Sequence, residues 1–513
     1  MGQRTQVLLI PIDGRPTSVQ LPVRLGQIAD VQVVTPPMAL LGYFTVPARF
    51  DSLRAWLLRQ PLHTFAAALV SVDMLAYGGA VPARMLQTPL ADAQKRLGLV
   101  RTLRKLAPAL PIYAQSVVMR LAPTGTTQTN AYRNALTRWA EVSTGSDSAS
   151  RAETALLVQQ LPPAILTAYR QTRARNRQIN QRAIDLVQEG AINYLILTQD
   201  DAKEQGVHVT DQIRLQAYIR QRGVGSRVLL QPGADEGAMV LLARALIHQY
   251  AVKPTVRVVY SSEVLSQQVM PYEDRPLNQT VSAHIRAAGG RQVEAGQQVD
   301  LLFYVFLSRF EPGAADRFAE RIASQLTQGQ RVIVADIDVR GNIQGGDSTL
   351  MTALQQQRML GKLSGYASWN TAANTIGTVL PQGLIRFTGQ QYILRQSVAR
   401  QRTQAAQDWF LIHRYLDDYQ YHTVVRKAIN TLAGQTGQSS RLLPDSTARQ
   451  LEREALPQLT TALNGLYRQV IESRPGQRPT ASYEPPARLR FSLPWNRTFE
   501  AAIDFDLPLT DKH

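Results

Sequence analysis

A parallel α/β fold is predicted for this chain of 513 residues by three features of its sequence. Short continuous apolar runs recur through its first two-thirds, and a run without polar alternation suits a strand covered on both faces. Segments of helical periodicity separate these runs at fairly even spacing, as in βα units. Most runs stop abruptly at charged residues, where parallel sheets gather their polar side chains. A barrel-like closed sheet and an open doubly wound sheet both satisfy the pattern. The barrel is favoured because acids are spread over most strand ends.

The first run, Val7 to Ile12, ends at Asp13-Gly-Arg-Pro16, so Asp13 and Arg15 lie just past a strand end. Pro16 and Thr17-Ser18 suit the start of a helix reaching Ile28. The second run is Val31 to Val34, followed by a helix from Asp51 to Arg59. The third, Ala66 to Val72, ends at Asp73. After a helix from about Asp92 to Leu106, the fourth run, Ile112 to Val118, delivers Arg120 to a loop. Residues 130–190 are helical in pattern and form a long excursion of the kind that serves as a lid. The fifth run, Tyr194 to Leu197, stops at Asp200-Asp201, with Gly206-Val-His208 following and Thr210 placed to cap a helix. The sixth stops at Asp235-Glu236, and the seventh is Thr255 to Tyr260. Later runs at Leu301 to Phe306 and Val332 to Ala335 start a second unit. Residues 400–472 read as helical and 489–505 as extended. The expected division is a parallel α/β (barrel-like) domain over 1–265, a second, smaller α/β unit over 266–395, and a helical C-terminal region with an extended tail over 396–513.

Composition narrows the function classes. Lys plus Arg number 56 against 39 acids, a formal charge of +17, and only seven of the cations are lysine. The densest basic cluster, Arg170, Arg173, Arg175, Arg177 and Arg182, reads as one solvated helix face. It has no interleaved aromatics to stack bases, so no specific nucleic-acid partner is expected. The absence of cysteine excludes disulfides, thiolate metal sites and a cysteine nucleophile. No apolar run is long enough to span a bilayer, and no signal peptide is visible. The default compartment is the cytoplasm, with secretion left open should a leader have been trimmed.

The strand ends carry the candidate chemistry. Asp13, Asp73, Arg120, Asp200 with Asp201, and Asp235 with Glu236 fall in turn at one edge of a parallel sheet, where ligands bind. Like charges gathered in one place destabilise unless something uses them. Adjacent Asp200 and Asp201 point opposite ways if extended, so one of them faces a ligand. Asp235 and Glu236 also suit the first turn of a helix, where acids complement the dipole. His208 pairs with the nearby acids either as a base or as a metal ligand. Asn370 and Asn374, four apart, share a helix face near its start and suit sugar hydroxyls or an anion. Trp369 suits stacking on a sugar ring. Nucleotide, dinucleotide and serine-hydrolase glycine motifs are missing from the settings they need.

Taken together, Ile12-Asp-Gly-Arg-Pro16, Asp73-Met-Leu-Ala-Tyr-Gly-Gly79, Gln199-Asp-Asp201 with Gly206-Val-His208, Pro232-Gly-Ala-Asp-Glu236, Tyr366 to Gly377 and Leu493-Pro-Trp-Asn-Arg-Thr-Phe-Glu500 resemble a bacterial family of unknown function, DUF4127. The resemblance runs from about residue 7 to 506. Members often carry a second acid where Gly14 stands, so the resemblance implies that Asp13 is the functional acid of that pair. It implies one common site for these motifs and no particular activity.

Two acidic strand ends on neighbouring strands match the carboxylate pair of a glycosidase, whose members stand about 5–10 Å apart. The expected function is therefore a hydrolase acting on a carbohydrate. One catalytic acid comes from Asp200 or Asp201 and the other from Asp235 or Glu236. Asp13, Arg15, Asp73, Arg120, His208, Trp369, Asn370 and Asn374 bind the substrate, and no cofactor is needed. One alternative is a metal-assisted hydrolase or isomerase, with Mn, Mg or Zn on Asp13, Asp73, Asp201, His208 and Glu236. Another is a two-domain protein that closes on a small polar ligand without turnover.

Overall fold

The structure, a computed structural model, describes residues 4–125, 129–342, 344–393, 397–435, 437–472 and 481–510. Six strands make the first sheet: β1 (Gln6–Ile10), β2 (Gln32–Val34), β3 (Phe65–Ser71), β4 (Ile112–Val118), β5 (Tyr194–Gln199) and β6 (Val228–Pro232). They are parallel throughout, in the order β2-β1-β3-β4-β5-β6. The expected barrel does not form, and the sheet is open. After β2 the chain crosses to the other side of β1, which makes the doubly wound topology with its switch point between β1 and β3. The seventh run, β7 (Thr255–Tyr260), pairs instead with β9 (Leu301–Phe306) in a second sheet. That sheet adds β8 (Arg291–Gln292), β10 (Val332–Asp336) and β11 (Gly365–Ala367), all parallel, in the order β11-β10-β9-β7-β8. The strands β8 and β11 have two and three residues, too short for an apolar run to show.

Side-chain alternation assigns each face of the first sheet to its own core. Val7, Leu9, Ala67, Leu69, Tyr113 and Ile196 point to one side. Leu8, Ile10, Ala68, Val70, Ile112, Ala114, Leu195 and Leu197 point to the other, onto Ile179, Ala183 and Val187 of the helix Pro163–Gln188 and Leu215 of the helix Val207–Arg222. Both faces are covered, which is why the strands lack polar alternation.

The first face shares one continuous core with the second sheet. Between the sheets lie the helices Gly237–Gln249 and Ala372–Ile393. They approach closely because Gly377 has no side chain, and a Cβ there would run into Glu236. The C-terminal part is helical over Ser397–Arg414, Tyr415–Val425, Arg426–Gln435 and Asp445–Tyr467. It ends in the antiparallel pair β12 (Ala487–Ser492) and β13 (Ala502–Asp506).

The arginine cluster on the helix Pro163–Gln188 is not a solvated face. Arg173 and Arg175 are 6% and 4% exposed. Arg173 holds Asp211 and the carbonyl of Arg120. Arg175 holds the carbonyls of Ala83, Met85 and Thr88. Arg170 lies over the Trp139 ring, Arg177 pairs with Asp211, and Arg182 with Glu189. Thr210 is not a cap either, since the helix begins at Val207 after Gly206, whose φ of +138° favours glycine. Among the described residues no helix is long and apolar enough to cross a membrane.

Candidate functional site

A polar cleft of about 590 Å³, open to solvent, lies where the carboxyl ends of the first sheet meet the loop after β11 and the segment before β13. Strand ends supply Arg15, Arg120, Asp200, Asp201 and Asp235, while Asn370, Thr371 and Asn374 come from the start of the helix Ala372–Ile393. Trp495, Arg497 and Phe499 form a wall from near the other end of the chain.

Each aspartate of the cleft is held by an arginine. Arg84 Nη2 donates to Asp200 Oδ2 at 2.6 Å. Arg120 Nη2 stands 2.8 Å from Asp201 Oδ2. Arg15 donates through both terminal nitrogens to Asp235, at 2.6 and 3.2 Å. Its remaining donors go to Glu500 at 2.6 Å and to Asp13 at 2.9 and 2.7 Å. The five N–H groups of Arg15 are thereby all used. Arg15 was expected to grip a substrate, and here it positions Asp235.

Both members of the Asp200/Asp201 pair line the cleft, contrary to the expectation that one would turn away. The strand stops at Gln199, and the Asp201 N–H bends back to Asp200 Oδ1 at 2.9 Å, so the two are no longer extended. Asp235 and Glu236 do separate. Glu236 is fully buried, accepts from Asn374 Nδ2 at 2.7 Å and faces His284 Nε2 at 3.3 Å. It pins the two central helices together and does not line the cleft.

Other expected ligand residues also sit behind the surface. Asp13 is 4% exposed and braces Arg15 from behind. Asp73 is buried in the helix Val72–Tyr77 and accepts from the Val117 N–H at 2.9 Å. His208 is buried against the carbonyl of Lys203, and burial lowers its pKa. Trp369 is buried too, its indole N–H given to Thr378. The proposed metal set of Asp13, Asp73, Asp201, His208 and Glu236 is thus dispersed among separate partners. Among the described residues no group of three or more His, Cys, Asp or Glu side chains is arranged to hold a metal ion. Asn370 and Asn374 do reach the cleft, with Asn370 Nδ2 donating to Asn374 Oδ1 at 2.6 Å.

The main residue not anticipated is Glu273, from a connection that reads as a linker. It is 3% exposed yet lines the cleft. Its Oε1 accepts from the Ala373 N–H at 2.9 Å, and its Oε2 is buried with no partner. Burial pushes its carboxyl well above the usual range. Burial thereby favours its protonated, neutral form. Acids crowded at Tyr272-Glu273-Asp274-Arg275 were the available signal.

Electrostatics separates the cleft's own carboxylates. Burial raises Asp201, with Asp200 and Asp235 adding to the push against Arg120 and Arg84. Burial also acts to raise Asp235, but Arg15 overcomes it and holds that carboxyl below its ordinary value. Beneath them, burial lifts Asp73 to about 7. Between about pH 4 and 7 the unfolded chain releases the Asp73 proton while the folded protein keeps it, so stability falls as pH rises through that window. Asp73→Asn keeps an acceptor for Val117 and should flatten that fall by a few kcal/mol. Urea denaturation at pH 4.5 and 8 measures it, and an unchanged pH slope refutes it.

The model of the family described as "Protein of unknown function (DUF4127)" matches residues 7–504. The chain belongs to this family. Among curated proteins none matches it. The segments of this DUF4127 protein that carry the resemblance converge in space. The turn at Asp13-Gly-Arg15, the acids at Asp200-Asp201, the Asp235 turn, the Asn370–Asn374 turn and the Trp495–Glu500 segment all line or brace the one cleft.

Proposed function

We propose that this DUF4127 protein is a hydrolase acting on the glycosidic bond of a carbohydrate, with Asp201 as proton donor and Asp235 as the ionised partner. The observation that carries this reading is geometric. The neighbouring parallel strands β5 and β6 deliver Asp201 and Asp235 to one cleft, each on its own arginine. Strands so paired lie about 4.8 Å apart, which suits the separation of about 5–10 Å that a carboxylate pair needs.

Their opposed pKa directions suit opposite roles. Asp201 gives its proton to the leaving oxygen as the bond from the anomeric carbon breaks. Asp235 supports the charge developing at that carbon, and a water oxygen ends there. The second proton of that water returns to the carboxyl pair, which restores the starting state. Asn370 and Thr371 offer polar contacts to sugar hydroxyls.

The test is turnover of a panel of nitrophenyl glycosides, run with and without EDTA. Release of nitrophenol that survives the chelator is expected. Loss on EDTA treatment with recovery on adding Mn²⁺ or Zn²⁺ moves the assignment to metal-assisted chemistry. A binding role without turnover also draws on a specific observation, since every cleft aspartate is clamped by an arginine. Sugar-induced thermal stabilisation with no product after long incubation decides for it.

A further inference from the structure

Of the four arginines that line the cleft, three are matched by its aspartates: Arg15 with Asp235, Arg84 with Asp200, and Arg120 with Asp201. Arg497 is the fourth, and it has no carboxylate to itself. Among the described residues its side chain makes no hydrogen bond. Glu500 Oε1 lies 3.7 Å away and is already engaged by Arg15 at 2.6 Å. The Arg497 Nε is buried and unpaired, and the side chain is 18% exposed. Aromatic rings hold the guanidinium in place: it sits 4.7 Å from the Trp495 centroid, 5.4 Å from Phe44 and 5.8 Å from Phe499.

Such a group is costly to keep. A cation taken out of water needs a partner, and stacking on rings replaces only part of its hydration. The surrounding backbone is itself strained, since Phe44, Trp495 and Asn496 have φ of +48°, +55° and +51°. A guanidinium whose one carboxylate is shared with Arg15 and whose N–H groups make no hydrogen bond, set in the wall of a cleft, points to something that arrives from the cleft. A planar guanidinium is matched best by a carboxylate or phosphate, which takes two parallel N–H bonds. Arg120 offers a second unpaired Nε, also buried, from the other side of the same lining.

We propose that the ligand of this cleft is a saccharide bearing an anionic group, and that Arg497 receives that group. The saccharide part rests on the carbohydrate reading given above, and the anionic part rests on Arg497 alone. Arg497 is then a specificity residue. It selects acidic over neutral sugars and fixes which end of the ligand meets Trp495, while Asp201 and Asp235 act on the bond.

The test uses the full chain and measures affinity by calorimetry at constant ionic strength with glucuronate, glucose 6-phosphate and glucose. At least one acidic sugar is expected to bind about tenfold or more tightly than glucose, as one charge-assisted bond implies. Which of the two prevails identifies the anion as carboxylate or phosphate. Arg497→Met, which keeps the stacked stem, should abolish the preference, and Arg497→Lys should keep part of it. Equal binding of all three sugars, binding of none, or a preference that survives Arg497→Met overturns the proposal. Should Arg497→Met fail to fold, the comparison on the unaltered protein and on Arg497→Lys still decides. The two readings fail separately. Arg497-dependent binding of acidic sugars without turnover of any glycoside removes the hydrolase alone. Turnover of neutral glycosides without an acidic preference removes this inference alone.

Discussion

Arg15→Met is expected to be the most destabilising single substitution in the cleft. It removes one guanidinium from two buried carboxylates, Asp13 and Glu500, and from the half-buried Asp235, all 2.6–2.9 Å from it. Breaking one buried pair by deleting one partner costs about 3–5 kcal/mol, because the survivor is left charged and unpaired. Here three survive together. The cost is pH-dependent in a defined direction. In the native protein Arg15 holds Asp235 below its ordinary pKa. The stability that this confers is present above the unfolded carboxylate pKa and is lost as pH falls. The variant lacks that term, and its bare acids are relieved by protonation at low pH. The gap between the two proteins should therefore widen from pH 5 to pH 8. Equal denaturation midpoints at pH 8 would show that Arg15 is not the keystone claimed.

The largest effect on rate is expected at the carboxylate pair. Asp201→Asn removes the transferable proton and should lower turnover by about 10²–10⁴-fold. Asp235→Asn removes the ionised group and should cost at least as much. It also leaves Arg15 with Asp13 and Glu500 as its acids, so the fold has a way to tolerate it. The two differ in a measurable way. An activated leaving group needs less protonation, so nitrophenyl substrates should mask part of the Asp201→Asn defect and none of the Asp235→Asn defect. Full activity in either variant removes that residue from the chemistry. Glu236→Gln is the control, since Glu236 lies outside the cleft and any loss it causes should come through stability.

The strands were legible in the sequence because both faces of each sheet are covered, which leaves continuous apolar runs such as Val7 to Ile10 and Leu301 to Phe306. Sheet membership was not legible. Nothing local in β7 tells it to pair with β9 rather than close on β1, because that depends on the crossover after β2. The cleft was legible in part. Arg15, Arg120, Asp200, Asp201, Asp235, Asn370 and Asn374 all reach it. Adjacent acids were not told apart, because both lie in the turn between β6 and the helix Gly237–Gln249, and no local periodicity says which one faces the cleft. Glu273 and Arg497 were missed for a different reason. Each lies in an irregular segment and is marked out by a buried polar atom left without a partner in space, which no local pattern shows.

The bond between Arg15 and Glu500 joins positions 485 residues apart. During synthesis the guanidinium at the first strand end therefore stays unanswered on that side until the segment carrying Glu500 has been made. A chain cut just ahead of Trp495 would hold every strand of both parallel sheets and lack that wall of the pocket. The cleft is consequently finished only once the Trp495–Glu500 segment has docked on the first strand end.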